Sequence, residues 1–118
     1  MEILGTTLRV CVNDLDAAVP VYERLTGAEG MRFANGPVEA AAVGPFILMS
    51  GPEAHIDVLR RITATLAVQN VEEAATELAA VGAEVVAGPQ STPIGRALVA
   101  RHPDGSVFEY VDRSAGAA

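Results

Sequence analysis

The sequence predicts an α+β fold of two tandem β-α-β-β-β modules, and three observations carry that prediction. An alternating strand runs directly into a helix signal twice, over residues 6–25 and again over residues 62–81. Short apolar stretches punctuated by glycine and proline follow each helix. The halves also align: TLRVCVNDLDAA from Thr7 matches TATLAVQNVEEA from Thr63, 56 residues later. That offset sets Val12 on Val68, Asp16 on Glu72 and Ala18 on Ala74, as duplication of one supersecondary unit would.

In the first module, residues 6–12 alternate Leu8, Val10 and Val12 with Thr7, Arg9 and Cys11, the period of a half-buried strand. Asn13-Asp14-Leu15-Asp16 then offers helix N-caps. Val21, Tyr22 and Leu25 recur at helical spacing over residues 17–25, and Gly27 is a natural stop. Pro20 removes one helical hydrogen bond if Asp16 is the cap, and a later start or a kink also accommodates it. Strands are expected at 31–34, 38–43 and 46–50, divided by Asn35-Gly36 and Gly44-Pro45 turns. Residues 51–61, GPEAHIDVLRR, form a polar connector with room for a short helix.

The second module repeats the plan. A strand at 62–68 precedes a helix at 71–81, with Ala75, Leu78 and Val81 along one face and Gly82 as its stop. Strands follow at 84–87, 97–101 and 107–111. GPQSTPIG, residues 88–95, reads as a longer loop, either a plain surface loop or, with Arg96, the rim of a site. The tail SAGAA is expected to fray.

Bulk properties narrow the function. At 118 residues the chain suits one domain, 1–118, with modules at about 6–50 and 62–113 joined by 51–61. It is 50% hydrophobic but 4% aromatic, so its core must be Val, Leu, Ile and Ala. A net charge of -7 argues against nucleic acid and against an anionic membrane surface as partners. A single cysteine, Cys11, permits neither an internal disulfide nor a cysteine-based zinc site. The N-terminus MEILGTTLRV has no basic segment leading into an apolar run, and the expected location is cytoplasmic.

The paired modules, the V-x-D-L junction ending at Leu15 and the PDG-x-x-x-E turn and strand reaching Glu109 together resemble the vicinal oxygen chelate superfamily. That superfamily includes glyoxalase I, extradiol dioxygenases, fosfomycin-resistance enzymes and bleomycin-binding resistance proteins. The resemblance spans residues 6–113. It implies a curled mixed sheet around a groove, with the helices outside. Alternation then turns Thr7, Arg9, Cys11, Thr63, Thr65, Ala67, Val107, Glu109 and Val111 into the groove. Leu8, Val10, Val12, Ala64, Leu66, Val68, Phe108 and Tyr110 turn towards the helices. Of the strand FILMS, Phe46, Leu48 and Ser50 are expected to face the groove.

Metal-dependent members of the superfamily carry ligands near the start of the first strand and on the last strand of each module. Carried over residue by residue, the first-strand places are Thr7 and Thr63, FILMS offers no carboxylate or amide, and only Glu109 survives. A catalytic metal needs about three protein ligands, so no metal and no cofactor are expected. His55 and His102 are read as solvated loop residues, and Cys11, with no histidine at a partner position, as a packing residue. Tyr22 is assigned to core or interface, and the side that Glu39 faces is unreadable in its alanine-rich strand.

What remains is a mostly apolar groove with a few polar points, the usual chemistry of a small-molecule pocket. Its expected ligand-binding residues are Thr7, Arg9, Cys11, Leu48, Ser50, Thr63, Thr65, Val107 and Glu109, with no catalytic residue assigned. Arg9 and Glu109 either orient a polar ligand or fix the groove wall. The resemblance leans to the bleomycin-resistance branch: a metal-free protein that sequesters a hydrophobic natural product or antibiotic. The alternative is a glyoxalase-like lyase or isomerase, or a natural-product biosynthetic enzyme, with Glu109 as base or ligand. A weaker third reading is an accessory protein with a vestigial groove. Single-unit members of the superfamily commonly dimerise, so a homodimer is expected.

Overall fold

A computed structural model of the chain describes residues 1–112. The expectations for Arg113 and the SAGAA tail lie outside the described residues. The chain divides into two compact units, one comprising Leu8–Arg61, the other Met1–Thr7 together with the chain from Ile62 onward.

The Leu8–Arg61 unit contains most of β1 (Gly5–Cys11), then α1 (Leu15–Thr26), β2 (Met31–Asn35), β3 (Val38–Val43), β4 (Phe46–Ser50) and α2 (Glu53–Leu59). Its strands lie in the order β2-β3-β4-β1. The β2–β3 and β3–β4 pairs are antiparallel, turned by Gly36 and Gly44 at positive φ, while β1 runs parallel to β4. Asp14, rather than Asp16, caps α1 by accepting from the Ala17 N–H. Pro20 therefore falls inside the helix, where its missing N–H leaves one turn without a bond. Leu15 and Val19 of α1 close a core with Ala41, Val43 and Leu48, flanked by Val10, Val12, Tyr22 and Phe46. Tyr22 meets Phe46 edge-on at 4.9 Å.

The facing assignments of Phe46, Leu48 and Ser50 in this unit are corrected. Leu48 is fully buried against α1, and Phe46 and Ser50 share its side of β4. The β1–β4 register gives the reason, because Leu8 pairs with Phe46 and Val10 with Leu48, and paired residues share a face. Ile47 and Met49, opposite Arg9 and Cys11, occupy the other face. Ser50 bonds instead to the Asn13 carbonyl. Leu8, expected to pack under α1 with Val10, is instead 49% exposed.

The other unit contains β5 (Ala64–Ala67), α3 (Val71–Ala80), β6 (Glu84–Thr92), β7 (Gly95–Arg101) and β8 (Val107–Asp112). Their order is β5-β8-β7-β6, with β5 parallel to β8 and the other pairs antiparallel. Near the start of the chain, the Leu4 N–H donates to the Ala67 carbonyl at 2.8 Å. Asn70 caps α3 through the Glu73 N–H, at the repeat position of Asp14. Asp112, 4% exposed, accepts from the Val71 N–H at 3.2 Å, so a carboxylate sits at the positive end of α3. Val68, Val71, Ala74, Leu78, Leu98, Ala100 and Tyr110 form the core.

The expected loop at 88–95 is corrected to the end of β6 and a turn. Gln90, Ser91 and Thr92 pair with Ala97, Arg96 and Gly95. Irregularities between Val85 and Gln90 let the strand carry Gly88 and Pro89, which end a simple alternation pattern in sequence. Arg96 forms an ion pair with Glu72. Among the described residues no helix is long and apolar enough to cross a membrane.

Candidate functional site

Glu109 sits in the middle of β8, flanked in register by Thr65 of β5 and Val99 of β7. Tyr110 and Phe108 turn to the α3 core, which places Glu109 on the face of the sheet away from that helix. Thr65 is 1% exposed, and its hydroxyl donates to Glu109 Oε1 at 2.8 Å. A charge-assisted bond from a buried, stiff β-branched residue fixes the carboxylate's orientation. Val99, half-buried, supplies an apolar flank that sequence reasoning missed. The β7–β8 register identifies it, and that register follows from recognising the PDG turn as a hairpin.

Thr63 is exposed and lies just before β5, its N–H bonded to the Val107 carbonyl. Val107 is half-buried on the same face as Glu109, and Thr7 is half-buried in β1. In the other unit, Arg9 and Cys11 lie on the face away from α1, beside Ile47 and Met49. Arg9 Nη2 approaches the Met49 sulfur at 3.5 Å, and Cys11 is a half-buried free thiol. Leu48 and Ser50 belong to the opposite face, as described above. Glu39 is exposed and pairs in register with Ser50.

Among the described residues no three His, Cys, Asp or Glu side chains come together as a ligand set. Within its own unit Glu109 accepts from the neutral Thr65 hydroxyl. The arrangement suits one anchored acceptor or base in an apolar surround.

His102 is corrected from a solvated loop residue. The turn before β8 is closed by the His102 N–H on Ser106 O and the Gly105 N–H on His102 O. This brings the imidazole into a stack on Phe108, 4.6 Å between centroids, with Nε2 2.7 Å from the Tyr110 hydroxyl. The Ser106 N–H holds the Asp104 carboxyl below its ordinary range. Burial pushes the Tyr110 phenol above its ordinary value. His55 is exposed on α2.

No model of a known protein family matches the chain, and no curated protein matches it. Among solved structures, an uncharacterised protein from Methanosarcina mazei is 38% identical over 94% of this chain and 93% of its own, with a TM-score of 0.87. Methylmalonyl-CoA epimerase from Mycobacterium tuberculosis is 18% identical over 92% of this chain and 87% of its own, at 0.74. A variant of the Streptomyces coelicolor epimerase, in complex with 2-nitronate-propionyl-CoA, is 19% identical over 92% and 96%, at 0.70. At that identity, the likeness to the epimerases is one of fold.

Proposed function

We propose that the chain, which belongs to one family with the uncharacterised Methanosarcina mazei protein and shares its fold with methylmalonyl-CoA epimerases, is a vicinal oxygen chelate protein that binds a hydrophobic small molecule without a metal ion. In this reading the protein sequesters a natural product or antibiotic and protects by lowering its free concentration. The observation that carries it is the Thr65–Glu109 pair, a carboxylate that accepts from a neutral hydroxyl, with no His, Cys, Asp or Glu ligand cluster among the described residues. Thr7, Thr63 and Val107 would supply contacts in the same unit.

The experiment is a thermal-shift screen of hydrophobic antibiotics with and without EDTA. A ligand at 100 times its Kd stabilises the native state by about 2.7 kcal/mol. Hits that survive EDTA and weaken in Glu109→Gln are expected, and hits abolished by EDTA would overturn the metal-free reading.

A second reading is favoured by the epimerase folds together with the same hydrogen bond. Here Glu109 acts as a general base on an acidic C–H next to a carbonyl, with the Thr65 hydroxyl holding its carboxylate in place. Solvent-deuterium incorporation into a 2-methyl acyl thioester by the wild type, absent in Glu109→Gln, would establish this reading over sequestration.

We also propose a homodimer. Val21 and Leu25 of α1 and Met31 of β2 are 54%, 74% and 65% exposed, an apolar surface suited to burial. Light scattering that shows monomer at micromolar concentration would refute it.

A further inference from the structure

A cleft of about 260 Å³ opens in the second unit, on the α3 side of the sheet, away from Glu109. Leu78 and Tyr110, each 3% exposed, are its rigid floor. Val81 and Met1, 65% and 46% exposed, are apolar residues at its mouth, joined by Pro103. Glu77 and the bonded His102–Tyr110 pair supply its polar groups. The volume is close to the small end of ligand pockets, roughly 300 Å³.

The polar groups select charge. Glu77 contributes a full carboxylate, which makes no ion pair among the described residues. The Tyr110 hydroxyl can donate to His102 Nε2 and turn its oxygen lone pairs towards a donor. An anion would face Glu77 directly, whereas an ammonium meets two acceptors and the tyrosine ring. The chain's net charge of -7 further enriches cations at its surface. Exposed Val81 and Met1 then cover the apolar body of such a ligand.

We propose that this cleft is a second binding site, for a small organic ammonium compound with an apolar or aromatic body. The site is separate from the Thr65–Glu109 face and does not depend on the function proposed for it.

The test is an NMR titration of the full chain with phenethylamine, a small ammonium compound with an aromatic body. Its neutral and anionic counterparts, 2-phenylethanol and 3-phenylpropionate, serve as controls. Phenethylamine should shift the Val81 methyl and His102 ring signals saturably, at least about tenfold more tightly than either counterpart. Glu77→Gln should weaken it about fivefold, and Glu73→Gln, the same charge change one helical turn away, should leave it unchanged. Tyr110→Phe should weaken it while the amide spectrum stays folded. No saturable shift, equal binding of all three compounds, or equal effects of Glu77→Gln and Glu73→Gln would each overturn the proposal.

Discussion

Replacing Thr65 with valine should change the sign of its effect according to what stands at position 109. The Thr65 hydroxyl is buried and donates to a half-buried carboxylate. A hydrogen bond to a charged group contributes about 1.5–3 kcal/mol, and partial exposure of Glu109 places this one near the lower figure. Valine keeps the shape and adds a buried methyl, a gain of about 0.8 kcal/mol. Thr65→Val alone should therefore destabilise by about 0.7 kcal/mol. In a Glu109→Met background the bond is already gone, and the same change should stabilise by about 0.8 kcal/mol. The coupling between the two sites is then about 1.5 kcal/mol, roughly a 1 M difference in urea midpoint at a typical slope of about 1.5 kcal/mol/M. Urea denaturation followed by far-UV circular dichroism of the four proteins measures it. A coupling below about 0.3 kcal/mol, with valine acting identically in both backgrounds, would refute the idea that Thr65 holds Glu109.

Other perturbations test the frame around that pair. Leu48→Ala should cost about 3 kcal/mol in urea denaturation, because Leu48 is wholly buried against α1; a loss under about 1 kcal/mol would return it to the open face. Gly88→Ala should destabilise by about 2–4 kcal/mol, since φ is +76° and a Cβ would stand 2.5 Å from the Ala97 carbonyl oxygen. Tyr110 binds its proton more tightly folded than unfolded, so its contribution is complete below pH 10 and is lost as pH rises through the folded value. Urea midpoints at pH 9 and 11 should therefore fall further in the wild type than in Tyr110→Phe.

The two modules were legible because duplication repeats chemistry as well as pattern. Asp14 and Asn70, 56 residues apart, both cap helices, and the apolar positions after them build equivalent cores. Sides were legible where a strand mixes residue types: Phe108 and Tyr110 turn to α3, and Glu109 turns away. FILMS is almost wholly apolar, so its own alternation has no sign. Only the parallel register with β1 shows that Leu48 follows Val10 to the helix. The end of β6 was hidden by Gly88 and Pro89, which read as a loop when the bulged pairing with β7 is unseen. His102 was missed because its partners are aromatic residues six and eight positions on, brought back by a turn rather than by strand spacing.

The central claim, that Glu109 serves a site without a metal, is tested most directly by the metal content of protein purified without chelator. A metal-independent site predicts well under one equivalent of zinc, nickel, manganese or iron per chain, unchanged in Glu109→Gln. A stoichiometric metal in the wild type that disappears in Glu109→Gln would contradict it.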